Sequence, residues 1–544
     1  MASDVGAPSS QGLSAEEANL FWIWDQVHCP RPMSPMGASV MAPLLGEGSS
    51  AAARTLGLPS EMRVKYINGY MYTARVASGP SPQAPPSTEA LTRIITDLPR
   101  QWEEEYLPEL LANISRMKVF DLPGASDDGL LSHLDWMMAT LKRHWTIHML
   151  TVQPVFAAGA ALVELYGEVM GGDDEAGPYK LLEGLDNKTL AADRALWRLA
   201  AEARFHLEVA QLLVERAPIL PQEELAAREG GRAWLASLQW FLEEYGYRNA
   251  SDDIGDVTWR EDPSFVLTLV KEYLSGQQPH PDERRQRLRA ERDGLLEQVQ
   301  RRLGRNPRRR QAFSQALANA QQVWPLREDH GYYIDQMSMA LFRYAVLEGG
   351  RRLAAAGSIG ADADVFYLTL EELREALASR PRPALRSLVA RRRRQQQRWA
   401  QAIPPPFLGQ PGPTPGGPLE GELVKFFGQP QLPDQEEAGQ LKGAAGSAGV
   451  ARGPARVVLG PEDLAKVQPG DVLVCVTTAA AWTPLFGVIG GLVTDSGGVL
   501  AHGAIVAREY QIPAVLGTGV GTKAIKDGQW VTVDGSAGVV TVPG

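Results

Sequence analysis

Apolar positions along this chain follow two different rhythms. From about residue 90 to 400 they recur at spacings of three and four, which predicts helices with one buried face. The clearest stretches are 195–216, 232–245, 281–302, 333–356 and a short one at 370–378. After residue 443 the rhythm becomes short β-type runs between glycine turns, at 455–459, 471–476, 491–494, 514–516, 530–533 and 539–542. Residues 403–418 separate the two regions. Proline fixes φ and removes backbone donors, so their Pro/Gly density predicts a semi-extended connector. Residues 79–87 read as a loop for the same reason. The expected organisation is a disordered tail at 1–16, a mostly helical domain at 17–400, a linker at 401–440 and a smaller α/β domain at 441–544. There is no internal repeat.

Composition narrows the classes. The chain has 544 residues, 44% of them hydrophobic, and a net charge of −10. That supports several packed cores and argues against a general binder of nucleic acid or anionic membrane. Two cysteines, Cys29 and Cys475, lie far apart and suggest neither a disulfide framework nor a metal centre. No leader pattern and no run of about 18 apolar residues stand out, so a cytoplasmic protein is the expectation. The basic run Arg391–Arg394 reads as a solvated helix face or a contact for an acidic partner.

Candidate chemistry centres on His502. The β-type run 491–494 meets a turn at Gly497 and Gly498, and a helical stretch at 503–510 follows the histidine. His502 is thereby placed at a helix N-terminus, where unpaired N–H groups and the helix dipole favour phosphate. A neutral imidazole is a good nucleophile toward phosphorus, so this position suits covalent carriage of a phosphoryl group.

Five blocks in order carry a resemblance: 443–457, Thr494-Asp-Ser-Gly-Gly498, His502-Gly-Ala-Ile-Val-Ala-Arg-Glu509, Ile512-Pro-Ala-Val-Leu-Gly517 and 527–535. They resemble the swivelling phosphohistidine domain of the phosphoenolpyruvate-utilising enzymes. The resemblance implies a β/β/α domain that travels between a loading site and a receiving site, with His502 phosphorylated. One departure is Ala501, where many members have Ser or Thr. The region 17–400 resembles the substrate-binding domain of rifampin phosphotransferase and the mobile subunit of phenylphosphate synthase. It does so through Phe21-Trp-Ile-Trp-Asp-Gln-Val-His-Cys-Pro-Arg-Pro-Met-Ser-Pro35, Tyr245-Gly-Tyr-Arg248 with Trp259-Arg-Glu-Asp-Pro263, and Arg327-Glu-Asp-His-Gly-Tyr-Tyr333 followed by 364–368.

What the resemblance implies is a phosphotransferase component. His502 would be loaded by a separate ATP-grasp subunit and would pass its phosphoryl group to a hydroxyl of a small, phenolic-type acceptor. ATP and Mg2+ would sit on that partner, no cofactor on this chain. Neither an ATP-grasp module nor a pyruvate-binding barrel is recognised in the sequence. The alternative is a non-catalytic phosphocarrier or regulatory module.

Phosphoryl transfer to a hydroxyl needs a base and cationic groups. Arg248, Arg327, Glu328 and His330 are the candidates for these roles, with Thr494, Gly497, Gly498 and Arg508 expected around the phosphate. Each has a plainer role open to it, in turn geometry or in an ion pair. His28, Trp24 and Met33, with Trp22 and Met36, lie in a proline-broken segment that could line an aromatic-substrate pocket or simply pack on the helices. His144 and His148 are one helical turn apart, but with no third ligand in view no metal site is expected.

Overall fold

A computed structural model of the chain describes residues 12–58, 60–77, 86–171, 177–249, 251–274, 280–402, 404–410, 425 and 439–543. The expected tail at 1–16, the loop at 79–87 and the connector at 403–418 therefore fall largely outside the described residues. The chain divides into two compact units that are not consecutive in sequence. One holds residues 1–154, 251–256 and 330–415; the other holds 155–250, 257–329 and 416–544.

The first unit contains helices, as the apolar spacing predicts, and also a sheet that the spacing did not reveal. Strands β1 (Phe21–Trp24), β2 (Ser60–Ile67), β3 (Tyr70–Ala77) and β4 (Phe407–Gly409) form an antiparallel sheet in the order β2-β3-β1-β4. The β2–β3 hairpin turns at Asn68 and Gly69, with φ of 51° and 76°. Both central residues with positive φ match the right-handed twist of the paired strands. Trp22, Ile67, Tyr70, Tyr72 and Ala74 make the core of this sheet. The helix Pro35–Leu56 begins at Ser34, whose hydroxyl accepts from Gly37 N, and ends at Gly57 in the left-handed region. Asp253 ties the separate segment 251–256 into the unit by accepting from the Ser34 hydroxyl at 2.7 Å.

In the second unit the stretch read as one helix at 195–216 is two, Lys188–Arg204 and Leu207–Arg216. Its sheet has eight strands. They are β5 (Gln440–Lys442), β6 (Ala444–Ser447), β7 (Val450–Val458), β8 (Val472–Cys475), β9 (Gly491–Thr494), β10 (Ala514–Leu516), β11 (Trp530–Asp534) and β12 (Val539–Thr541), in the order β5-β12-β11-β7-β8-β9-β10-β6. The pairs β7–β8, β8–β9 and β9–β10 are parallel, and the remaining neighbours are antiparallel. Val472, Val474, Val493, Val515, Val531 and Val533 stack into its core. Buried β-branched residues on a pleated surface are what such strands favour.

Among the described residues one helix, Asp127–Met170, is long and apolar enough by composition to cross a membrane. Of its apolar window, 61% is buried inside the protein, as in a core helix.

Candidate functional site

The site is built where β9 ends. The chain turns through Asp495, Ser496, Gly497 and Gly498 and enters the helix His502–Tyr510. Gly497 has φ 92°, a conformation L side chains rarely adopt. The Thr494 hydroxyl donates to Ser496 O at 2.7 Å, and the Thr494 carbonyl accepts from the Thr518 hydroxyl at 2.9 Å. Thr494, expected to help hold phosphate, thus has its hydroxyl committed to the turn. Asp495 accepts from Thr522 N at 2.9 Å and closes the other side.

Ala501 is the N-cap, with φ −61° and ψ 153° and no side-chain cap. His502 is the first residue of the helix, so its own N–H and that of Gly503 precede any intrahelical acceptor. Hydroxyls come instead from elsewhere. Thr483 Oγ1 lies 3.2 Å from His502 Nε2. Thr478 Oγ1 is buried with no hydrogen-bond partner. It lies where a side chain at Gly503 would begin, 2.8 Å from an added Cβ.

The other ring nitrogen faces a carboxylate. His502 Nδ1 is 3.8 Å from Glu328 Oε1, within ion-pairing reach and beyond a hydrogen bond. The Thr189 hydroxyl donates to Glu328 Oε2 at 2.8 Å and fixes the carboxylate. Burial works against the charge on Glu328. His502, Arg327 and Thr189 outweigh it and hold the carboxyl down to about 2. Arg327 is buried, rests over the rings of Phe156 and Trp324, and donates through Nη2 to the carbonyl of Leu500. A cavity of about 30 Å3 lined by Thr189, Arg327, Glu328 and Thr483 adjoins them, room for about one water-sized group.

Arg508 is placed differently from the expectation that it steadies phosphate. Its guanidinium donates to the carbonyls of Gly446 and Val499 at 2.7 and 2.9 Å and lies 3.7 Å from Glu183. That buried role locks the helix to β6 and to the turn. Arg248 is also buried, with its guanidinium over the rings of Tyr245 and Trp259. Its carbonyl accepts from Trp259 N.

The other expected residues belong to the first unit. Met33, Met36 and Trp22 are buried in it. The Trp24 indole donates to Cys29 O at 2.9 Å and meets Tyr70 edge-on. The N-terminal aromatic segment therefore packs into its own unit. His28 Nδ1 pairs with Asp25 at 2.8 Å. Burial lowers the His28 pKa, but Asp25 outweighs it and the ring is pushed up to about 9. His144 lies between Asn113 and Ser338 and is driven down to about 4 by burial. His148 turns instead toward His330 and Asp335. Of the basic run, Arg392 pairs with Glu372 and Arg393 with Asp364, so half of it is spent within the unit.

Of the residues the structure brings together here, His502, Arg327 and Glu328 were named from the sequence. Sequence reasoning missed Thr189, Thr483 and Thr478, because isolated threonines far along the chain carry no local signal.

Residues 148–328 match the family described as the rifampicin phosphotransferase fourth domain, and residues 467–538 match the mobile domain of PEP-utilising enzymes. Relatives include a chondramide synthase of Chondromyces crocatus, 35% identical over 97% of this chain and 14% of that protein. An uncharacterised phosphotransferase of Bacillus subtilis is 28% identical over 97% of this chain and 63% of its own length. A rifampicin phosphotransferase of a Streptomyces species is 34% identical over 68% of this chain and 41% of its own length. The chain spans less than two thirds of each of these relatives.

Proposed function

We propose that this chain, a relative of the rifampicin phosphotransferases that carries the mobile domain of PEP-utilising enzymes, is a phosphotransferase component working through His502. The observation that supports it most is the setting of that imidazole. It stands at a helix N-terminus behind a glycine turn, with a carboxylate at one nitrogen and a hydroxyl at the other. A carboxylate facing Nδ1 orients the ring and favours the tautomer that leaves Nε2 as the nucleophile.

In the first step Nε2 attacks a phosphorus of ATP. A P–N bond forms as a P–O bond breaks, and the N–H groups of the first helical turn receive the phosphate. ATP and Mg2+ are held by a separate ATP-grasp subunit. In the second step a hydroxyl oxygen of a small organic acceptor, of phenolic type, attacks the phosphorus. The P–N electron pair returns to Nε2, and the hydroxyl proton goes to a general base at the acceptor. The Thr483 hydroxyl, 3.2 Å from Nε2, takes the part that a Ser or Thr at position 501 would play.

The test is phosphate incorporation from β-labelled ATP, on wild type and His502→Ala, with and without an extract of the source cells. Acid-labile label on wild type alone, and only with extract, supports loading in trans. Label without extract rejects the separate loading subunit. Labelled chain that passes phosphate to a partner protein and to no small hydroxyl compound favours the carrier reading instead. Full labelling of His502→Ala removes the proposal.

A further inference from the structure

The first unit holds a cluster of ionisable side chains that the proposed chemistry of His502 does not use. His148 comes from the helix Asp127–Met170, and His330 ends the short helix Leu326–Gly331 together with Gly331. Asp335 comes from the π-helical turn Tyr332–Ser338 that follows. One ligand atom from each lies within 4.8 Å of the others. His148 Nδ1 is 2.9 Å from Asp335 Oδ1, and His330 Nε2 is 4.0 Å from Asp335 Oδ2. The two imidazoles meet edge-to-face with centroids 4.4 Å apart.

We propose that His148, His330 and Asp335 bind a first-row divalent cation of the Zn2+ or Mn2+ class. Two imidazoles and one carboxylate, with remaining positions open, form a donor set suited to such ions. The spacing fits. Donors about 2.1 Å from a tetrahedral ion lie roughly 3.4 Å from one another, and the two separations given above bracket that value. The backbone is wound to make the set. His330 and Asp335 are five residues apart, which an α-helix would turn to different faces. The i→i+5 pattern of the π-turn brings such residues toward one face, and π-turns are frequent at functional sites. The His148 ring is held in plane by stacking on Trp145, with centroids 4.7 Å apart.

The ion's use, to bind and acidify an acceptor hydroxyl, rests on the phosphotransfer reading; its binding does not.

The experiment is binding of Co2+, followed by visible absorption, and of Zn2+, by calorimetry, to the chelator-treated full chain. One equivalent is expected. Asp335→Asn and His330→Gln should each weaken it more than the roughly 10–100-fold that loss of an outer-shell partner costs. His206→Gln, at an exposed histidine, should leave it unchanged. X-ray absorption of the zinc-loaded wild type needs no variant and should show imidazole nitrogen in the coordination shell. No binding tighter than about 1 mM, binding untouched by both ligand variants, or a shell without imidazole would each overturn the assignment.

Discussion

Glu509 offers a sharp test of how the His502 helix is held. It lies seven residues after His502 on the same helix, beside Glu183, Arg508 and Arg284. Burial, and then the negative charge of Glu183, push its carboxyl up from 4.5 to about 8. A backbone N–H and the two arginines only partly oppose this. A carboxyl raised in the folded protein stabilises the fold fully below its unfolded value. That contribution is lost as pH rises through the folded value, so the window runs from 4.5 to about 8. The difference of 3.5 units, at 1.36 kcal/mol each, sets a ceiling of about 5 kcal/mol, and at pH 7 about 3 kcal/mol. Partial exposure of the carboxylate reduces both figures.

Glu509→Gln keeps the acceptor for the backbone N–H and removes the charge. The variant should match wild type near pH 4 and exceed it increasingly toward pH 9. Thermal unfolding measured at intervals between these limits reads the gap, at roughly 2–4 °C per kcal/mol for domains of 150–250 residues. Parallel pH profiles for the two proteins would refute the assignment of a buried carboxylate under repulsion.

Glu328 has the opposite sign. Held down to about 2, it stabilises above 4.5, and that stability is lost as pH falls toward 2, so Glu328→Gln should flatten the acid limb of the unfolding profile. An Ala501→Ser substitution adds a hydroxyl at a cap with suitable backbone angles. It should raise the melting temperature by the equivalent of about 0.5–2 kcal/mol, and a fall would show that the buried site cannot admit the oxygen. Gly69→Ala places a Cβ 2.8 Å from Pro32 Cβ at φ 76°. It should cost about 2 kcal/mol or more in the first unit, read by denaturant unfolding.

Six of the second unit's eight strands were legible because their signals are local; β5 and β6 were not read. The strands Gly491–Thr494 and Ala514–Leu516 and the helix Leu370–Ala378 have the boundaries their sequence predicts. Glycine turns, or the Thr369–Glu372 capping box, mark their ends. The first unit's sheet was not read. Its hairpin carries the strong Asn68-Gly69 signal, yet β1 finds a partner in β4, nearly four hundred residues later. Helical periodicity in between hides that pairing. The same distinction applies at the candidate site. His502 and its glycines announce themselves in one stretch. Thr189 and Thr483 reach Glu328 and His502 only through folding, and the meeting of His330 with Asp335 depends on a helical winding that spacing rules for α-helices do not anticipate.

The pairing of Phe21–Ile23 with Phe407–Gly409 also governs the order of events during synthesis. β1 leaves the ribosome well before β4, so one of its edges stays open until the intervening chain has emerged. Closing so large a loop is entropically slow and leaves that edge unpaired meanwhile. A strand partner supplied in trans would thus act on the nascent chain at a stage when the strands around His502 do not yet exist.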